Sequence, residues 1–395
     1  MAIDPQRRLH AAAFLGSFDR FTIPPLLVAI HRDLDVSLGA AAVVASAYFV
    51  AYGLSQPLWG ALSDRVGRVA VLRGTVAAGG AVCVVAALAP TFGLLLAART
   101  LAGFFFAAVM PTAMTYTGDT VGLDRRQHAL AVLMAAATTG VASGTAVSGV
   151  AASVLDWRAA FLVSAALAAA VSLLLRGLPE SLHPDAGGSF RERVRGLRRD
   201  RWVAVVVGIA FLEGAVIFGA LTFVAAALEQ SGVGVALAGS AAAGFGLANA
   251  VCTPLITRAI PIVSSPVLMA GGAAFAGAGL LVAAIDTTVV TAVLATSALG
   301  AGFGFLHSTM QLWATQVHPQ ARALTVSLFA GAVFTGGAVA SAAAAPLADA
   351  GRFSLVFLLG AAGAGVLALG GPPLRARYLA ERHPPAPADA QPVAL

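Results

Sequence analysis

Long apolar stretches follow one another along this chain and are separated by short polar segments. An α-helix needs about 20 apolar residues to cross the hydrocarbon core of a bilayer. Charged residues make up only 11% of the chain, whereas a soluble domain has about 25%. We therefore predict an all-α membrane protein whose spans are 9–31, 40–62, 70–89, 93–115, 129–154, 159–178, 202–228, 236–257, 266–285, 288–315, 323–347 and 353–371.

The basic residues orient these predicted spans. All 24 are Arg, and with the N-terminus inside, the outer loops hold only Arg32, Arg158 and Arg352. Because cytoplasmic loops of membrane proteins are rich in basic residues, both termini are expected to be cytoplasmic. The protein is expected in a bacterial inner (cytoplasmic) membrane. The net charge of +6 lies in loops between spans, so no nucleic-acid partner is predicted.

The chain divides into two similar halves. Its longest polar stretch, 179–201, is predicted to be a cytoplasmic linker between six-helix bundles at 1–178 and 202–371, followed by a cytoplasmic, disordered tail at 372–395. Similar segments recur in the same order about half a chain apart. Examples are Pro57-Leu58 with Pro254-Leu255, and Ala129-Leu130 with Ala323-Leu324. Two pseudo-symmetric bundles of this kind form transporters with a substrate site between the halves.

Three motifs carry a resemblance to a known family. The loop Gly60-Ala-Leu-Ser-Asp64-Arg65-Val-Gly67-Arg68 resembles the signature loop of the major facilitator superfamily, and Arg99-Thr-Leu-Ala-Gly103 resembles its R-x-x-x-G motif. The small residues from Gly140 through Gly144 to Gly149 resemble its antiporter motif, except that Thr145 replaces the usual Pro. The resemblance covers nearly the whole chain. It implies the major facilitator fold and the twelve-helix group of drug:proton antiporters.

The signature loop is expected to act as a conformational latch. Asp64 can cap a neighbouring helix and pair with Arg68, holding the cytoplasmic ends of the halves together in one state. In the alternative interpretation, Arg65 and Arg68 are only positive-inside anchors. Gly140, Gly144 and Gly149 are expected to serve close helix packing, whether static or sliding.

Ionisable residues within spans are costly and are therefore functional candidates. Asp19 and Glu213 lie 194 positions apart, as do Arg158 and Arg352, which suggests equivalent positions in the two halves. We predict that both carboxylates take part in proton coupling; the family resemblance favours Arg99 as the partner of Asp19. Two alternatives remain: a static ion pair of Asp19 with Arg20 or Arg99, and a structural hydrogen bond at Glu213. Arg20 itself is expected to be a structural charge.

The candidate substrate path contains few polar groups. Six polar or aromatic side chains near the middle of their spans are expected to line it: Tyr48, Tyr52, Gln56, Asn249, His307 and Gln311. Few polar groups together with two acids favour a hydrophobic or cationic substrate over a sugar.

The sequence therefore predicts a secondary active transporter that works by alternating access. Proton-coupled efflux by antiport is favoured; a proton symporter or facilitator that imports a small metabolite is the alternative. A membrane enzyme or non-transporting receptor is a third interpretation, but no nucleophile, phosphate-loop or HExxH motif supports it. No cofactor or metal is predicted. The expected partners are a small-molecule substrate, protons and the lipid bilayer, and the protein is expected to be a monomer.

Overall fold

The computed structural model describes residues 4–181, 196–197, 199–318 and 321–382. Within these ranges the regular secondary structure is entirely helical, and 12 helices are long and apolar enough to cross a membrane. We number them α1 to α12. Their bounds are α1 Pro5–Arg20 continued by Leu27–Asp33, α2 Leu38–Val66, α3 Arg68–Ala87, α4 Phe92–Phe106 with Val109–Thr120, α5 Leu123–Val154, α6 Arg158–Leu175, α7 Arg201–Gln230, α8 Val235–Ala242 with Gly244–Ala259, α9 Ser265–Ile285, α10 Val289–Val317, α11 Arg322–Asp349 and α12 Phe353–Arg382.

Helix α1 is broken in its middle. Its first segment ends at Arg20, and the short 3-10 turn Pro24–Leu26 joins it to the second. Prolines remove backbone donors and prevent a regular helix here. At the break, backbone carbonyls lose the N–H donors that a regular α-helix would provide. One of them is Asp19 O, which accepts a hydrogen bond from Thr22 Oγ1 at 2.9 Å. The break therefore lies directly beside the two adjacent charges Asp19 and Arg20.

The twelve helices form two bundles with matching contacts. In the first half α1 packs on α5, α2 on α4, and α3 on α6; in the second half α7 packs on α11, α8 on α10, and α9 on α12. Glycines permit the close approaches: Gly103 of α4 lies against the backbone of Tyr48, and Gly300 of α10 lies against that of Phe245. The predicted fold of two pseudo-symmetric six-helix bundles is confirmed.

These glycine contacts also give the register of the repeat. Gly300 and Phe245 each lie 197 positions after Gly103 and Tyr48. The same offset holds between α1 and α7, because Phe14 lies against Gly140 and Phe211 lies against Gly336. The sequence-based match of Asp19 with Glu213, at an offset of 194, is therefore wrong. It followed Arg158 and Arg352, which lie at the start of α6 and just before α12, where the offset differs.

The halves meet mainly through α2 with α11 and α5 with α8. We call the end of the bundle at which α1 begins and α12 ends the terminal end, and the other the distal end. From the distal end inward, α2 and α11 touch through Gly39 with Asp349, Ser46 with Ser341, and Gly53 with Gly331. Beyond Gly53 a side chain added at Gly60 would meet nothing within 4 Å. The halves therefore join at the distal end and part towards the terminal end.

The end of the last helix differs from the prediction. α12 continues through Pro372 and Pro373 to Arg382, although a disordered tail was expected from 372. The extension is stabilised because Tyr378 is buried against Trp202 and Trp313. Residues 383–395 and most of the predicted linker, 182–195 and 198, lie outside the described residues.

Candidate functional site

Asp19 and Arg99 form an enclosed ion pair inside the first half. Arg99 Nη1 lies 2.9 Å from Asp19 Oδ1, and Arg99 Nη2 lies 3.1 Å from Asp19 Oδ2. Both side chains are 0% exposed. The guanidinium is sandwiched between the rings of Tyr48 and Phe161, and Cys83 Sγ donates to Asp19 Oδ1 at 3.2 Å. The pair that the sequence placed together thus does form, but it faces the core of its own bundle rather than the gap between the halves.

Glu213 pairs with a histidine instead of an arginine. His307 Nδ1 lies 3.0 Å from Glu213 Oε1, joining α7 to α10. The carboxylate is 0% exposed while the imidazole is 23% exposed. Glu213 Oε2 is buried and has no hydrogen-bond partner among the described residues. An unsatisfied buried carboxylate oxygen is costly, so burying Glu213 carries a free-energy penalty that its bond to His307 offsets only in part.

The two acidic pairs lie at different depths. By the offset of 197, Glu213 is in line with Gly16 of the first half, three positions nearer the terminal end than Asp19. His307 is in line with Met110, far along α4 from Arg99. The site is therefore asymmetric: a closed carboxylate–arginine pair lies on the distal side of one half, and a carboxylate–histidine pair lies closer to the terminal end of the other.

An aromatic cluster closes the space between the halves. Its rings come from both bundles and touch at centroid distances of 5.4 to 6.2 Å. The members are Phe21, Phe49, Phe218, Phe245, Phe303 and Phe334. The cluster could not be found from the sequence, because five of its phenylalanines come from five different helices and Phe21 comes from the break in α1, which gives no local pattern. We call it the aromatic roof, since it separates the distal contacts from the gap beneath.

Arg20 and His307 both lie against the aromatic roof. The Arg20 guanidinium lies 4.8 Å from the ring centroid of Phe334 in the second half. The His307 ring stacks on Phe303 at 4.3 Å. Arg20, which was expected from the sequence to be a structural charge, therefore lies at the junction of the halves.

The other predicted path residues divide into two groups. Tyr52 packs 4.9 Å from the Arg20 guanidinium and against Phe334, so it borders the gap. Tyr48 is equally buried but lies beside Arg99, inside the first bundle. The remaining three lie on path helices: Gln56, which is buried, and Asn249 and Gln311, which are partly exposed.

The signature loop forms a charge cluster within the first half. Arg68 pairs with Asp64 and, at 3.2 Å, with Asp119. Glu180 accepts hydrogen bonds from Val69 N at 3.0 and 3.2 Å, which caps the start of α3. Gly67 has φ +117°, a left-handed conformation that favours glycine. The hydrogen bonds of Arg68 and Glu180 stay within residues 4–181, and Arg65 is exposed. Arg68 and Glu180 make no hydrogen bond to a described residue of the second half, so the latch between the halves stays a prediction.

The small residues of α5 serve two different interfaces. Gly140 and Gly144 lie against the backbone of α1 at Phe14 and Phe18. Gly149 lies across the halves, and a Cβ added there would lie 2.8 Å from Val235 O of α8. Gly140 and Gly144 therefore serve packing inside the first bundle, whereas Gly149 serves contact between the bundles.

A two-bundle membrane protein whose halves close around a shared path has the architecture of a secondary transporter. The family model of the Major Facilitator Superfamily matches residues 9–340, and the chain belongs to this superfamily. It is accordingly a transporter and not an enzyme. Among the described residues, no group of three or more His, Cys, Asp or Glu could hold a metal ion.

Relatives and solved structures agree with this family. Protein spinster of Drosophila melanogaster is 27% identical over 55% of this chain. A chloramphenicol resistance protein of Streptomyces lividans is 27% identical over 58% of this chain. These matches cover 36% and 60% of the two relatives, so the chain spans less than two thirds of either.

Two solved structures share the fold over nearly the whole chain. The nucleoside transporter NupG has a TM-score of 0.78 at 16% identity, covering 94% of this chain and 100% of its own. A bacterial homologue of the human lysosomal transporter Spinster, in an inward-facing and unoccupied conformation, has a TM-score of 0.77 at 17% identity, covering 97% and 98%.

Proposed function

We propose that this protein is a proton-coupled exporter of hydrophobic small molecules in a bacterial cytoplasmic membrane. The observation that carries the proposal is the Glu213–His307 pair, whose buried Oε2 has no partner. One shared proton makes this pair neutral, and a neutral pair is far cheaper to bury than a lone carboxylate. When the gap opens to water on the other side, hydration of the carboxylate allows the proton to leave.

The direction of opening supports an alternating-access cycle. The halves join at the distal end and part at the terminal end, where nearly all loop arginines lie. By the positive-inside rule the terminal end is cytoplasmic, so this conformation is inward-open. The inward-facing conformation named for the bacterial Spinster homologue is consistent with this orientation.

Efflux is the favoured direction because of the names of two relatives. One is the efflux pump apf11 of Gibberella fujikuroi, which is 27% identical over 57% of this chain, and the other is the chloramphenicol resistance protein. The aromatic roof supplies an apolar contact surface and few hydrogen-bonding groups, which suits a hydrophobic compound better than a sugar. In the outward-open state the signature loop around Asp64 is expected to reach the second half and act as the latch.

Asp19 and Arg99 have a different role in this proposal. The Asp19 carboxylate and the Arg99 guanidinium are fully buried and joined by two side-chain hydrogen bonds. Their charges cancel, so the pair is neutral without a bound proton. It fixes α1 to α4 on the distal side. The primary proton site is therefore assigned to Glu213 and His307, with the Asp19–Arg99 pair as a second candidate.

The test uses proteoliposomes and chloramphenicol, a hydrophobic neutral probe. An imposed pH gradient is expected to drive uphill movement of the probe, and Glu213→Gln is expected to abolish it while leaving exchange without a gradient intact. Glu381→Gln, an equivalent change at the exposed end of α12, is the control and is expected to behave as the parent. Movement that ignores the gradient in the parent protein would contradict proton coupling. Full coupling in both Glu213→Gln and His307→Gln would contradict the assigned site.

A further inference from the structure

Arg20 lies at the junction of the halves and has no carboxylate partner among the described residues. Its guanidinium lies 4.9 Å from the ring of Tyr52 on α2 and 4.8 Å from that of Phe334 on α11. Nη2 donates to Ser17 Oγ at 3.3 Å, while Nε is buried and unpartnered. Nη1 makes no hydrogen bond to a described residue and is not enclosed. A guanidinium retains its charge in proteins, so an unmatched positive charge faces the gap.

Neither Asp19 nor Glu213 presents an exposed carboxylate to the gap. Both oxygens of Asp19 bind Arg99, and Oε1 of Glu213 binds His307. Glu213 is itself 0% exposed. An organic cation that entered the gap would meet Arg20 without a free, exposed carboxylate to balance it. The charges around the gap therefore disfavour the cationic substrate that was one of the two classes expected from the sequence.

From this charge arrangement we infer that the gap binds lipophilic organic anions, with the anionic group on Arg20 and the apolar body under the aromatic roof. The inference rests on the proposed function, because it names the substrate class of the same path. The planar guanidinium presents parallel N–H donors that match a carboxylate. Tyr52 and Phe334 hold its plane by stacking, so that little conformational freedom is lost when the anion binds. The neighbouring phenylalanines exclude water, which strengthens the charged hydrogen bonds.

Both halves contribute to this site. Arg20 and Tyr52 belong to the first bundle, while Phe334 belongs to the second. An anion that pairs with the N–H edge of Arg20 leaves the contact with the Phe334 ring in place, so the anion is held where the two bundles meet. Binding at this position therefore couples directly to the separation of the halves, as a transported substrate requires.

The test measures equilibrium binding to the full chain in phosphatidylcholine nanodiscs, without any pH gradient. Three probes of nearly equal shape are compared: 2-naphthoate, neutral 2-naphthamide and cationic 2-naphthylmethylammonium. The parent protein is expected to bind naphthoate about tenfold more tightly than naphthamide, and the cation most weakly. Arg20→Gln is expected to remove the preference for naphthoate while leaving naphthamide binding unchanged. Arg73→Gln, at an exposed position of the same half, is expected to behave as the parent.

Arg20→Lys separates recognition from folding. Lysine retains the charge but lacks the planar pair of donors, so an intermediate preference for naphthoate is expected. Equal binding of all three probes to the parent would overturn the inference. So would an equal loss of naphthoate and naphthamide binding in Arg20→Gln, because that result marks a structural role. Displacement of naphthoate by added lysophosphatidate would identify a membrane lipid acid as the source of the anion; no displacement would identify a free organic acid, and both results support an anion site.

The outcome is independent of the proton-coupling test. If the parent prefers naphthoate but chloramphenicol transport ignores the pH gradient, the anion site stands and the coupling proposal fails. If gradient-driven transport depends on Glu213 but the parent shows no preference for naphthoate, the proposed function stands and the substrate class is wrong.

Discussion

At the distal end, a carboxylate of the second half binds the N-terminus of α2 in the first half and helps to hold the halves together. Asp349, the last residue of α11, accepts hydrogen bonds from Gly39 N at 2.5 Å and Ser37 Oγ at 2.9 Å at the start of α2. A negative charge also interacts favourably with the N-terminus of a helix. Asp349→Ala is therefore expected to weaken the closed distal end and favour the conformation in which that end opens.

The size of the effect follows from the type of bond lost. Hydrogen bonds to a charged group contribute about 1.5–3 kcal/mol, and solvent screening at the exposed Ser37 reduces this. We expect a loss of about 1–2 kcal/mol, which raises the population of the distally open state by a factor of about 5–30.

The assay measures labelling of a cysteine that only the open state exposes. Ser46 is 5% exposed and its Oγ lies 2.7 Å from Ser341 Oγ across the halves, so Ser46→Cys reports on distal opening. The background carries Cys252→Ser, and Cys83 is buried. The rate of reaction with a membrane-impermeant maleimide added on the distal side is expected to rise by the same factor.

The control has a similar carboxylate that bridges no halves. Asp156 accepts from Arg158 N at 2.8 Å within the first bundle, so Asp156→Ala is expected to leave the labelling rate unchanged. Equal rates for the parent, Asp156→Ala and Asp349→Ala would refute the reasoning, because the distal end would then be held closed without Asp349.

Three further predictions concern folding, each measured by thermal or denaturant unfolding in detergent. Gly214→Ala is expected to lower stability by about 1–3 kcal/mol, because an added Cβ collides with the α11 backbone; Gly208→Ala in the same helix meets nothing within 4 Å and is expected to raise it by about 0.5–1 kcal/mol. Asp19→Asn or Arg99→Gln alone is expected to cost about 3–5 kcal/mol, and the double variant much less than their sum; strict additivity would contradict a coupled pair. Glu180→Gln is expected to cost about 0.5–2 kcal/mol through loss of the α3 cap, and an unchanged melting temperature would show that the cap is replaced by water.

The helices could be predicted from the sequence because hydropathy acts locally. A run of apolar residues between arginine-bearing loops is sufficient to define a span, and the predicted spans match the observed helices. The exception is α12, where Pro372 and Pro373 suggested an end. Contacts of Tyr378 with residues of α7 and α10 maintain the helix there, and such contacts cannot be read from a local pattern.

The site was less predictable because its pairs join distant helices. The pairing of Asp19 with Arg99 followed from a family resemblance, whereas His307 was named only as a path residue and not as the partner of Glu213. The role of Arg20 depends on Phe334, more than 300 positions away. Their charge within predicted spans marked these residues as candidates. Which of them meet depends on how distant helices pack, and a local sequence pattern does not contain that information.

The unequal depth of the two acids has an electrical consequence. Three helical positions correspond to about 4.5 Å along α1, roughly 15% of a hydrocarbon core about 30 Å thick. Moving one charge across the whole core against 100 mV costs about 2.3 kcal/mol, so protons at the two levels differ by roughly 0.3 kcal/mol per 100 mV. In the proposed cycle, a proton that enters from the distal side and binds at Glu213 would cross more of the membrane voltage than one at the level of Asp19, and the voltage would help to load the deeper site.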